Sequence, residues 1–237
     1  MKKCGRQSNP SKSTAQLPEW ERLISTECLF QSCFPECVLV GGTAAVLHAG
    51  HRISMAADYV LPDLQRRFAE ILQKVEAKAG WRTRRIEPPV LILGHFQGIR
   101  TGIRQLMRMA PLETTVVRGL RCPTPEEILR IKAYLIVQRN ATRDYIDFIA
   151  LFDHLGVQRA LQALQPLDQL YPQKEGTAVS QQLAMQLADP KPWDFAETDL
   201  RAYKALKAPY TDWAEVKRRA AAAGQKIIRQ TFIGKDM

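Results

Sequence analysis

Three groups of residues have types and spacings that could do chemistry. The first is Gly41-Gly42-Thr43, followed fifteen residues after the threonine by Asp58. Two glycines let a backbone turn tightly and approach a ligand closely. A hydroxyl at the head of a following helix, with that helix's own N–H groups, suits phosphate oxygens. A carboxylate on a neighbouring strand could hold Mg²⁺ against the same phosphates. The alternative is a plain turn with an N-cap threonine and a surface aspartate. The second group is Lys132, set among Ile128, Leu129, Ile131, Leu135 and Ile136, with Arg139 two turns along on the same helical face. A lysine in an apolar helix snorkels or pairs with an acid. The run Arg143-Asp144-Tyr145-Ile146-Asp147 puts Asp144 and Asp147 three apart, as helical neighbours. A structural salt bridge from Lys132 to Asp147 is therefore the alternative to a phosphate contact. The third group is charge. Between Trp81 and Arg121 the arginines at 82, 84, 85, 100, 104, 108, 118 and 121 are opposed only by Glu87 and Glu113. That bias suits a phosphate-facing surface or a solvated face. His48 and His51 lack a third ligand at metal spacing and read as structural or as support behind the site residues.

These residues need elements to position them. A helix is expected over 17–34, stopped by Pro35, then a strand over 36–40 that ends at Gly41-Gly42. A short apolar helix over 43–50 and a strand over 53–61 carrying Asp58 follow. Asp63 is a candidate N-cap for an amphipathic helix over 64–79. Strands are expected over 90–93, 99–106 and 112–117; Arg100 and Arg104 then share a face, and Arg108 lies past the strand's end. Thr124-Pro125-Glu126-Glu127 is a helix start, with helices over 126–139 and 142–155 and shorter ones beyond. The layout is a lead-in over 1–16, a mixed αβ unit over 17–122 and a helical unit over 123–237.

Composition bounds the function. At 237 residues, 46% hydrophobic and 24% charged, the chain matches an ordinary globular protein and not a disordered one. Lys plus Arg number 34 against 24 Asp plus Glu, so the net charge of +10 favours polyanionic partners. No apolar run long enough for a transmembrane helix is present, and the polar first residues lack the apolar stretch of a secretory signal. The cysteines at 4, 28, 33, 37 and 122 are odd in number and contain no CxxC, which disfavours zinc and fits free thiols in a reducing cytoplasm.

The first two groups together carry a family resemblance. Val38-Leu39-Val40-Gly41-Gly42-Thr43-Ala44-Ala45-Val46-Leu47-His48, then Gly50-His51-Arg52-Ile53-Ser54, then Asp58, resembles the AbiEii/AbiGii-type toxin nucleotidyltransferases of the DNA polymerase β-like superfamily. Lys132 followed by Arg143-Asp144-Tyr145-Ile146-Asp147-Phe148 is similar to that family's later lysine and R/K-D-x-x-D box. The resemblance spans residues 38–156. It implies an α+β fold: a nucleotidyltransferase-fold N-terminal half with a twisted mixed sheet, followed by an all-helical C-terminal half. It implies Mg²⁺-dependent transfer of a nucleotidyl group from an NTP to an acceptor hydroxyl, with RNA such as a tRNA 3′ end as acceptor and an antitoxin as partner.

By the same resemblance the catalytic positions would be 56, Asp58, Glu113, Lys132 and Asp147. The nucleotide would meet Gly41, Gly42, Thr43, Arg52, Ser54 and Lys132, with Arg143 and Asp144 behind them. Asp58 and Glu113 would ligate Mg²⁺, Glu113 being the only acid on a candidate strand between 90 and 117. If RNA is the acceptor, the strand spacing that puts Arg100 and Arg104 on one face makes them the residues to hold it. One departure stands out: the family's D-x-D is Ala56-Ala57-Asp58 here. We read Ala56 as an inactivating Asp→Ala replacement in a toxic enzyme, with a natural variant as the alternative. A pseudoenzyme that binds NTP or nucleic acid, and an enzyme acting on a protein or a small molecule, remain open.

Overall fold

The computed structural model describes residues 18–173 and 176–230; the expected lead-in over 1–16, with Cys4, lies outside them. The chain begins with helix α1 (Pro18–Cys33), strand β1 (Val38–Val40), helix α2 (Gly41–Ala49), strand β2 (Ala56–Leu61) and helix α3 (Leu64–Glu76). Strands β3 (Trp81–Glu87), β4 (Leu91–Phe96) and β5 (Ile99–Gln105) complete a five-stranded mixed sheet of order β1-β2-β5-β4-β3, in which only β2 and β5 run parallel. Strands β6 (Thr114–Val117) and β7 (Leu120–Pro123) form a separate hairpin. Helices then take over: α4 (Pro125–Arg139), α5 (Thr142–Leu155), α6 (Val157–Leu164), α7 (Leu167–Leu170), α8 (Val179–Ala188) and α9 (Trp213–Ile228). This is the α+β architecture expected, with a mixed sheet first and helices after it.

The sheet has one dry face and one open face because its strands alternate. Along β2, Ala57, Tyr59 and Leu61 are buried while Ala56, Asp58 and Val60 are not. The dry face packs on α1, whose Phe30 ring lies 5.2 Å from Tyr59, 5.9 Å from Trp81 and 5.3 Å from Phe96. Helix α3 covers the same face, where its Glu76 accepts from Thr83 of β3. Helix α4 starts as its sequence dictates: Thr124 caps it by accepting from the Glu127 N–H, Pro125 stands at the first helical position, and Asn140 ends it with φ of 44°. Helix α2 packs against β2, α4 and α5 and so joins the sheet to the helices.

Some expectations are corrected. Asp63 makes no side-chain cap to α3; its carboxylate pairs with Arg67 instead. Strand β3, Trp-Arg-Thr-Arg-Arg-Ile-Glu, is the sheet's edge and almost wholly solvated, so it carries no apolar alternation to read. The strand expected over 112–117 shortens to β6 and does not join the central sheet. Among the described residues, no helix is long and apolar enough to cross a membrane.

Candidate nucleotide-binding site

Ala56 and Asp58 both emerge on the open face of the sheet. The register of β2 on β5 sets Ala56 beside Arg100, Asp58 beside Gly102 and Val60 beside Arg104. The same rows continue to His95 and Leu93 of β4, and from those to Arg82 and Arg85 of β3. Arg104 Nε lies 3.6 Å from Asp58 Oδ1, with both side chains well exposed. Arg85 pairs with Glu87. Arg100 has no ion-pair partner among the described residues. Gly41, at φ +72°, turns the chain from β1 into α2; a Cβ there would sit 3.3 Å from Asp58 Oδ2. The turn thus lies directly on the carboxylate, next to helix N–H groups that have no partner within their own helix.

Behind this face is a buried ionic cluster. Asp147 Oδ1 accepts from His51 Nε2 at 2.8 Å and Arg52 Nε at 2.9 Å. Its Oδ2 accepts from Arg52 Nη2 at 3.0 Å and lies 2.7 Å from Lys132 Nζ. Lys132 also donates to Asp144 Oδ1 at 3.0 Å, and Arg139 grips Asp144 through two hydrogen bonds. Burial alone would push Asp147 up, but the charges of Arg52 and Lys132 and the His51 hydrogen bond hold it well below the usual carboxylate range. Asp144 is lowered in the same way: burial is outweighed by Lys132 and Arg139. Burial holds His51 down against the pull of Asp147, so the imidazole is neutral. Gly42 has no side chain for a geometric reason: a Cβ there would collide with Arg52 Nη2.

The structure therefore divides the expected site residues into two layers. Gly41, Ala56, Asp58, Arg100 and Arg104 come together at the open face, while Gly42 lies against the Arg52 guanidinium. Thr43, Arg52, Ser54, Lys132, Asp144 and Asp147 form the buried support beneath that face. This corrects three expected contacts. The Thr43 hydroxyl donates to the Ala56 carbonyl at 2.5 Å and lies 2.8 Å from Ser54 Oγ, so both hydroxyls tie α2 to β2 and do not face a phosphate. Arg52 is spent on Asp147. Lys132, only 1% exposed, makes the salt bridge that was the alternative.

Two outlying residues are also corrected. Glu113 sits just before β6, off the central sheet, and pairs with Arg130. Arg108 is not phosphate-facing; it is buried against Glu127 at 2.8 Å. Arg143 is exposed. Arg139 was noted only for its helical face. It is in fact a bridge between layers, bonded to Asp144 and held in its charged form partly by Asp58. His51 likewise gains a defined role on Asp147. Both partnerships are long-range and leave no local sequence signal.

The Mg²⁺ that the resemblance implies requires paired carboxylates. The face offers Asp58 alone, beside Ala56 and next to a guanidinium, and no three His, Cys, Asp or Glu side chains group as metal ligands among the described residues. The residues present do not fit a two-ion site.

No protein-family profile matches the chain. Among solved structures, JHP933 from Helicobacter pylori superposes with a TM-score of 0.54 at 16% identity, covering 95% of this chain and 96% of its own. MenT4, a nucleotidyltransferase toxin from Mycobacterium tuberculosis, superposes with a TM-score of 0.53 at 12% identity, covering 91% of this chain and 87% of its own. The fold is that of a nucleotidyltransferase. By sequence, the chain is 35% identical over 132 residues to MmpL11 of Mycobacterium tuberculosis, described as a heme uptake protein; the match covers 52% of this chain and 13% of that protein. MmpL11 of Mycolicibacterium smegmatis, described as a mycolic acid-containing lipids exporter, is 34% identical over 130 residues with the same coverage. The matched segment is thus a small part of each of these curated relatives.

Proposed function

We propose that this chain is a nucleotidyltransferase of the toxin type, resembling the AbiEii/AbiGii family, with its transfer step impaired by Ala56. The observation that carries this reading is the shared open face of Ala56 and Asp58 beside the Gly41-Gly42 turn. An NTP lies along that face, with its phosphates toward the start of α2 and the arginines of β5. In the transfer, an acceptor hydroxyl attacks the α-phosphorus and pyrophosphate leaves. Asp58 is the carboxylate placed to accept the hydroxyl proton, a role worth roughly 10²–10⁴-fold in rate. The buried cluster of Arg52, Lys132, Asp144 and Asp147 fixes the elements that carry the face. The division into units over 17–122 and 123–237 is part of the proposal, as are a cytoplasmic setting and an antitoxin partner.

The acceptor we propose is RNA, its backbone phosphates sharing the basic face of Arg100 and Arg104 with the NTP. Both arginines are exposed on one face of β5, in keeping with the net charge of +10. The test is Ala56→Asp protein incubated with Mg²⁺, each labelled NTP, and total RNA beside total protein. Labelled RNA is expected, with label rising by several powers of ten over the parent chain. Labelling of protein alone would replace the acceptor. Labelling of neither refutes the reading of Ala56 as the lesion.

A further inference from the structure

We propose that this site binds the triphosphate of an NTP without a divalent cation, with Arg100 and Arg104 supplying the positive charge. The inference rests on the reading of the open face as an NTP site. It begins from the misfit between the donor set and metal. Ala56 offers no side-chain oxygen, and its strand neighbour in register is Arg100. Arg100 has no ion pair among the described residues, so its charge is uncommitted. At the other carboxylate position, Arg104 Nε stands 3.6 Å from Asp58 Oδ1, too far for a hydrogen bond but within ion-pair distance.

A divalent cation settling on Asp58 would meet that guanidinium at close range, and Arg139 is also within electrostatic reach of Asp58. The face is therefore hostile to a metal ion and favourable to a polyanion. Guanidinium groups suit the task, since each presents a planar fork of donors that grips phosphate oxygens in pairs. Arg104 is about half exposed and held by a single long contact, so it can turn from Asp58 to a phosphate at small cost. The row extends through His95 to Arg82, which lengthens the positive track beyond one phosphate.

The test is calorimetric titration of the full chain with ATP, GTP, CTP and UTP, each in EDTA and in Mg²⁺. The expected result is that at least one NTP binds, with dissociation constants in the two buffers agreeing within about threefold. In EDTA, Arg104→Ala and Arg100→Ala should each weaken binding roughly tenfold or more, the worth of a charge-assisted hydrogen bond. Ala56→Asp should invert the dependence, weakening binding in EDTA and restoring it with Mg²⁺. Binding that vanishes in EDTA and returns with Mg²⁺ would overturn this inference and leave the NTP site standing. Binding in EDTA that neither arginine variant changes would also overturn it. No binding of any NTP in either buffer would remove the NTP site itself. If a single-stranded oligouridylate binds in EDTA and no NTP does, the face is a nucleic-acid surface and the inference falls.

Discussion

Replacing Asp147 by asparagine isolates the buried cluster that supports the open face. Asp147 is fully buried, and its two oxygens face four nitrogen contacts from His51, Arg52 and Lys132. Asparagine keeps the shape but turns one oxygen into an N–H donor aimed at other donors. It also leaves Arg52 and Lys132 with one anion fewer in a dry setting, Asp144 being shared with Arg139. Breaking a buried ion pair by removing one partner costs about 3–5 kcal/mol. For a chain of this size about 1 kcal/mol lowers the melting temperature by roughly 2–4 °C, so Asp147→Asn should melt roughly 6–20 °C below the parent. Asp153→Asn is the control: its pair with Arg219 is partly exposed and should contribute about 1 kcal/mol or less. Thermal melts and urea titrations of the three proteins, at one ionic strength, decide the matter. If Asp147→Asn melts beside Asp153→Asn, the cluster is not a stabilising support.

Two further predictions concern the frame around the site. Glu27 of α1 is buried against Tyr59 and Thr101, and burial raises its carboxyl from the ordinary 4.5 to about 7. The folded state therefore holds a proton that the unfolded chain has lost, so this contribution to stability is complete below about pH 4.5 and lost as pH rises to about 7, by roughly 3 kcal/mol. Glu27→Gln should flatten that decline in urea midpoints measured across the window; an unaltered decline would refute the assignment. Gly42→Ala should cost about 1–3 kcal/mol, because the new methyl occupies the place of the Arg52 guanidinium. Unchanged melting of Gly42→Ala would show that Arg52 can repack freely.

How much of this was legible in the sequence depended on range. The strand, Gly-Gly turn and short helix around residues 38–50 could be read because glycine pairs and apolar runs are local signals. Asp58 followed from them. The Lys132–Asp147 pairing was legible as one of two alternatives from helical spacing, and the structure chose it. Thr43 misled for a physical reason: a helix-head hydroxyl satisfies a neighbouring carbonyl as readily as a phosphate, and here the Ala56 carbonyl was nearer. Glu113 misled because it falls just before β6, and that strand pairs in a separate hairpin away from the central sheet. Arg108 looked like part of a basic surface until Glu127, nineteen residues on, buried it. Strand β3 was illegible because an edge with both faces solvated shows no period-two pattern.

A cleft of about 250 Å³ also opens elsewhere, lined by residues that include Asp153, Gly156, Arg218, Arg219 and Lys226, and it offers a rival place for an anion. The most direct test of the site is amide hydrogen exchange, resolved by residue, on the parent chain with and without saturating NTP. Slowed exchange is predicted at 41–44, 56–58 and 100–104, with none around 153–157 or 218–226. Slowing confined to the second set would move the nucleotide to that cleft and contradict the site described.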